Sequence, residues 1–359
     1  MSASVDSVRL GFAGLGWIGF NRMQALADAP GVVIAALTDP DPTALARAQE
    51  LAPGAKLVGS FESLLLEPLD GVVIATPSAL HGEQARAALE RSLAVFCQKP
   101  LGRSAAEARA IVETAERRDR LLGVDFSYRE CDATQKLRGW VRSGELGDIF
   151  AVNLVFHNAY GPDKSWFYDP RLSGGGALMD LGIHLVDLAL WVLDFPTPRD
   201  VTGRLYAQGQ PLTAPGSHED RVEDYASAQI VLDGGTCVDL ACSWRLHAGC
   251  DCVIEASFFG TRGGVSLRNV NGSFYDFTAD ALIGTSRRQL AAPPDAWGGR
   301  AARAWAAQLR ASRGFDPAAQ RVIEVSEVID AIYASPRPAS ATSPSAAPSS
   351  RNPEPLCAS

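Results

Sequence analysis

An apolar-rich run at residues 8–13 ends in Gly14-Leu15-Gly16-Trp17-Ile18-Gly19, and a stretch with helical spacing follows. This strand–glycine turn–helix order limits the fold sharply. The first glycine allows a tight turn, and the second lets a ligand's phosphates approach the backbone. The third lets helix and strand pack closely. The free N–H groups and positive dipole end of the helix then favour an anion. Gly14, Gly16, Trp17, Ile18 and Gly19 are therefore expected to form a dinucleotide site.

The rest of the first third agrees with that start. Residues 32–38, 71–75, 94–97 and 121–126 read as short buried strands. Stretches 19–29, 42–51, 81–91 and 105–118 between them carry helical spacing. Such alternation predicts a doubly wound parallel sheet with helices on both faces, an α/β Rossmann domain over 1–125. Beyond it, 150–157, 200–208, 226–232, 237–244, 252–259 and 264–269 read as longer strands, several alternating apolar with polar. That texture predicts an open, largely antiparallel sheet with helices on one side. Helices are expected at 134–143, 176–193, 297–312 and 317–334. Residues 126–334 are thus read as an α+β domain for substrate binding and oligomerisation. Residues 335–359 are rich in Ser, Pro and Ala and are expected to be a disordered tail.

Composition narrows the partners. The net charge is 33 − 41 = −8 with no basic block, which argues against nucleic acid. The seven cysteines have irregular spacing and lack a metal-ligand pattern, so free thiols and no metal site are expected. The longest apolar run, 177–195, is broken by Asp180, His184, Asp187 and Asp194, which argues against a membrane span. With no signal-peptide pattern at the start, a cytoplasmic protein is expected.

Four further features carry chemistry. Asp39 lies twenty residues after Gly19 at the end of the second strand, where an acid would bind a ribose diol. With no Arg or Lys within 38–46, it favours NAD over NADP. The turn Thr76-Pro77-Ser78-Ala79-Leu80-His81 leaves the third apolar strand at the edge where ligands bind, so Thr76, Pro77 and His81 are expected near the cofactor. Gln98-Lys99-Pro100 leaves the next strand at the same edge, where Lys99 could hold a substrate oxygen. Asp180 and His184, four residues apart after Gly174-Gly175-Gly176, are read as one helix face and a proton-transfer pair. Tyr128, Arg129, His157, Tyr160, Trp166 and Arg171 complete the candidate contacts, Arg129 to cofactor or substrate and the others to substrate.

This ordered set resembles the Gfo/Idh/MocA family of NAD(P)-dependent oxidoreductases, together with Ser143-Gly144-Glu145-Leu146-Gly147-Asp148-Ile149. The resemblance implies hydride transfer at a hydroxyl-bearing carbon of a sugar, cyclitol or related polyol. It also implies catalytic roles for Lys99, Asp180 and His184. Gln98 stands where the family pattern has glutamate. An exposed sheet face implies a homodimer or homotetramer. Two other readings share the fold: a lyase or glycosidase acting through a transient keto-sugar, and a nucleotide-sensing regulator.

Overall fold

The computed structural model describes residues 7–212 and 221–335. Most of the expected tail lies outside the described residues. Its first residue, Ser335, is buried and accepts a hydrogen bond from Gly203 N at 2.9 Å.

The first half has the expected doubly wound parallel sheet, with one short strand and one short helix, at Lys56–Leu57 and Phe61–Leu64, beyond those expected. Strands β1 (Val8–Ala13), β2 (Val32–Thr38), β3 (Lys56–Leu57), β4 (Gly71–Ile74), β5 (Ala94–Cys97) and β6 (Leu122–Val124) form one parallel sheet ordered β3-β2-β1-β4-β5-β6. Helices α1 (Trp17–Ala27), α2 (Pro42–Leu51), α3 (Phe61–Leu64), α4 (Ser78–Glu90) and α5 (Ala105–Arg118) connect them. The strand order reverses between β1 and β4, which opens a crevice at their carboxyl ends. Strands β1, β4 and β5 are almost wholly buried because helices cover both faces.

Helix α6 (Asp132–Arg142) leads into the second half. There β7 (Ile149–Asn158), β8 (Pro198–Ala207), β9 (Gln210–Pro211), β10 (Tyr225–Leu232), β11 (Cys237–Ser243), β12 (Cys252–Gly260), β13 (Gly264–Asn269), β14 (Phe277–Ile283) and β15 (Ser286–Ala291) form a second sheet. Its order is β15-β14-β13-β12-β7-β11-β10-β8-β9, antiparallel except for β7 against β11. Burial alternates along β7, β10 and β11, with Val152, Leu154 and Phe156 turned inward on β7. Strands β14 and β15 were not expected from sequence. Charge in Ser286-Arg287-Arg288-Gln289 masks an edge strand, a usual way to protect an edge.

Two helical features differ from expectation. The segment expected as one helix over 176–193 is a π-helical turn, Leu178–Gly182, running into α8 (Ile183–Val192), with the short α7 (Pro170–Ser173) before it. Its apolar length passes for a membrane span, yet 89% of that window is buried in the protein, so it is a core helix. Second, α9 (Arg300–Ala311) does not join the second sheet. It returns to the first one, where Trp305 packs on Phe96 at 5.6 Å and fills the space left by Gly71 and Gly123. The first domain is thus completed from beyond the expected 1–125 boundary. Helix α10 (Arg321–Ala334) closes the fold against β8, α5 and α8.

Candidate active site

One cavity of about 1080 Å³ runs from the glycine turn to the π-turn. Gly14 has φ +86°, and a Cβ there would meet Ala75 O at 2.4 Å. A Cβ on Gly19 would meet Gly14 O at 2.1 Å, so this glycine serves helix–strand packing. Around Gly16 no atom lies within 4 Å of such a Cβ, and its backbone borders the cavity with Trp17 and Ile18. Helix α1 begins there with no side-chain cap. An open cradle at an uncapped helix start fits a pyrophosphate.

Asp39 borders the same end. Its Oδ2 accepts Leu15 N at 2.5 Å and its Oδ1 accepts Asp41 N at 2.8 Å. Each carboxylate oxygen retains capacity for a ribose hydroxyl. Arg47, one residue beyond the 38–46 stretch, reaches Leu15 O at 3.0 Å and lies over the Phe20 ring. Thr76 and Pro77 border the cavity, with the Thr76 hydroxyl donating to Gln84 Oε1 at 2.7 Å. His81 is buried with Nδ1 2.7 Å from Pro100 O and Nε2 2.8 Å from Thr76 O. It clamps two loops together. Burial pulls its pKa down against those two carbonyls.

At the other end, Lys99 Nζ donates to Asp180 Oδ1 at 2.7 Å and to Asp180 O at 2.6 Å. Two of its three protons are so engaged, and among the described residues none accepts the third. Asp180 Oδ2 accepts Trp244 Nε1 at 3.1 Å. Asp180 therefore fixes Lys99 and makes no hydrogen bond to His184, so the expected Asp180–His184 pair is replaced by a Lys99–Asp180 pair. The widened π-turn breaks the regular face that the four-residue spacing had implied, as such turns often do at working sites.

His184 is 8% exposed and borders the cavity beside Lys99. Its Nδ1 is buried without a partner, and Tyr128 packs edge-on against its ring at 4.9 Å. Burial, then the Lys99 charge, then the Arg22 charge hold its pKa well below the usual histidine value. A neutral imidazole beside a lysine is a ready proton acceptor.

Tyr128, Tyr160 and Trp166 border the cavity, and Trp166 stacks on Phe167 at 3.8 Å. Three expected contacts lie elsewhere. His157 alternates with the inward Phe156, so it faces the far side of the sheet, where Nδ1 is 2.8 Å from Ser243 Oγ. Arg171 is an exposed partner of Asp169 at 3.0 Å, at the start of α7. Arg129 makes a two-pronged ion pair with Asp187, which is 1% exposed on α8 and needs a cation.

The glycines before the π-turn make room for neighbouring protein, and Gly175 also borders the cavity. A Cβ at Gly174 would meet Arg103 at 2.7 Å, at Gly175 the Tyr333 hydroxyl at 2.0 Å, and at Gly176 the Glu223 carbonyl at 1.9 Å. Glu223, fully buried and unforeseen, caps the turn by accepting Leu178 N at 2.8 Å and Gly176 N at 3.1 Å. Burial pushes its pKa up. Arg22 and Asp125 were also missed, although a charge on the buried stripe of α1 and an acid at a strand's carboxyl edge are both visible signals.

The chain belongs to the Gfo/Idh/MocA oxidoreductase family: residues 8–126 match its NAD-binding Rossmann domain and residues 134–266 a C-terminal domain of the same family. It is 32% identical over 274 residues to a putative UDP-kanosamine synthase oxidoreductase subunit of Amycolatopsis mediterranei (strain S699), covering 73% of this chain and 75% of that protein. To D-glucoside 3-dehydrogenase of Escherichia coli (strain K12) it is 30% identical over 211 residues, 57% of this chain and 60% of that protein. A solved structure of levoglucosan dehydrogenase with NADH and L-sorbose has the same fold. Its TM-score is 0.77 at 21% identity, over 92% of this chain and 97% of that one.

Proposed function

We propose that this protein is an NAD-dependent oxidoreductase acting on a secondary hydroxyl of a sugar, cyclitol or related polyol. The observation that carries the reading is the neutral His184 and the uncommitted proton of Lys99 facing one cavity continuous with the glycine turn. Gly16, Trp17, Ile18 and Asp39 hold the cofactor, which supplies the hydride acceptor when bound. His184 Nε2 takes the hydroxyl proton. Lys99 donates to the same oxygen and offsets its developing negative charge. Asp180 keeps Lys99 in place, and in reduction His184 returns the proton. Tyr160, Trp166 and Phe167 offer apolar faces to sugar C–H surfaces.

The relatives named for a glucoside and for an amino-sugar nucleotide support the substrate class. The carboxylate of Asp39 disfavours a 2′-phosphate, which supports NAD over NADP. A panel of sugars, glycosides and cyclitols with NAD and with NADP tests the reading through accumulation of reduced cofactor. Turnover without accumulation would instead favour transient oxidation in a lyase or glycosidase.

We place the protein in the cytoplasm, in keeping with its six free cysteines among the described residues. We also assign the open face of the second sheet to contact between copies in a homodimer or homotetramer. Its central row, Asp280, Ser266, Ser257, Asn153, Asp239 and Gln229, crosses from β14 to β10 with no described helix over it.

A further inference from the structure

Gln98 and Asp125 leave adjacent parallel strands at the carboxyl edge of the first sheet. Gln98 N donates to Ile74 O and Asp125 N to Cys97 O, each at 2.9 Å. The side chains meet there: Gln98 Nε2 donates to Asp125 Oδ2 at 2.5 Å. The same oxygen accepts Arg22 Nε from α1 at 2.5 Å. All three residues border the cavity between the glycine turn and Lys99, at 7%, 1% and 5% exposure for Gln98, Asp125 and Arg22.

This geometry settles which way the amide points. An ionised carboxylate only accepts, so Gln98 must turn its NH₂ toward Asp125. Its carbonyl oxygen Oε1 is then the free end, and no donor among the described residues reaches it. Arg22 pairs with the same carboxylate, and Asn21 Oδ1 in turn accepts Arg22 Nη1 at 2.7 Å. A buried charge pair is costly to build, and here it holds one neutral side chain in one orientation.

We propose that Asp125 is a positioning residue for the cofactor: it locks the Gln98 amide so that Oε1 is presented as an acceptor to a hydroxyl of the nicotinamide ribose. The position selects that group. The glycine turn takes the pyrophosphate, Lys99 marks the reacting end, and the ribose hydroxyls are the donors between them. A glutamine so oriented offers what a glutamate at 98 would offer, without a second carboxylate beside Asp125. The inference rests on the cofactor placement proposed above and is independent of the sugar substrate.

The test compares binding of NADH, by its fluorescence, with binding of ADP, by calorimetry, to the native protein and three variants. In Asp125→Asn the amide partner no longer dictates orientation, and NADH should bind on the order of tenfold more weakly, about 1.4 kcal/mol. ADP lacks the nicotinamide half and should bind within about twofold of native, which also reports an intact adenosine site. Gln98→Met removes the acceptor while leaving Asp125 and Arg22 paired, and should give the same split even if Asp125→Asn folds poorly. The double variant Gln98→Glu/Asp125→Asn reverses the amide–carboxylate pair and should regain NADH affinity relative to Asp125→Asn. Native NADH affinity in Gln98→Met, equal losses for NADH and ADP, or no recovery in the double variant would overturn the proposal. A native protein that binds NADH yet oxidises no polyol would overturn the substrate reading alone.

Discussion

A histidine buried beside a fixed cation stays neutral to lower pH than one in water, and His184 is so placed. Because its folded pKa is depressed, the unfolded chain binds the proton more readily. The resulting contribution to stability is present above the ordinary histidine value, about 6.5, and is lost as pH falls below it. The acid limb of oxidation should accordingly lie below about 6.5. Lys99→Met removes the second cause of the depression, so the limb of its residual activity should move to higher pH. An unchanged limb would show that the Lys99 charge does not reach His184. Gly16 allows an equally local test. Gly16→Val adds a side chain where nothing lies within 4 Å, so the fold should persist while NADH binds about a hundredfold more weakly, about 2.8 kcal/mol. On the proposed placement of the cofactor, Asp39→Ser removes the carboxylate that would repel a 2′-phosphate and leaves Arg47 at the turn. The ratio of kcat/KM for NADP to that for NAD should rise by roughly tenfold or more.

Among the elements, α9 is the one whose placement the chain order conceals. Its apolar stripe was readable, but nothing local says which sheet it covers. The answer lies in Gly71 and Gly123, strand glycines whose missing side chains receive Trp305 from far along the chain. Trp305→Ala should empty that space and destabilise the first domain by about 3–5 kcal/mol, read as a lower midpoint in denaturant. The same limit explains the π-turn. The Asp180–His184 spacing was visible, whereas the turn's partners are distant in sequence: Glu223, just before β10, caps it, and Tyr333 of α10 donates to Glu223. The Rossmann strands, by contrast, were legible nearly to the residue, because two covered faces demand uninterrupted apolar runs. Alternation alone could not say which face of β7 met the cavity, and so His157 was expected at a cavity that Phe156 and Asn158 border instead.

For the whole molecule, the first sheet supplies the glycine turn and, just past β5, Lys99, while the π-turn and α8 supply Asp180 and His184, so neither half lines the whole cavity. The second sheet's open face predicts assembly: light scattering of the native protein should give a multiple of the 38.1 kDa chain mass. Asn153→Lys, at an exposed position of the central row, should lower that mass while NADH still binds. A native monomer would contradict the assigned interface. The central claim is that His184 takes the substrate proton and Lys99 offsets the charge on its oxygen, in a site whose cofactor they do not hold. It is tested most directly by measuring polyol-dependent reduction of NAD alongside NADH affinity in His184→Ala and Lys99→Ala. Turnover should fall by roughly 10²–10⁴ in each, with NADH affinity close to native. Near-native turnover in both variants, with a substrate the native protein oxidises, would contradict the account.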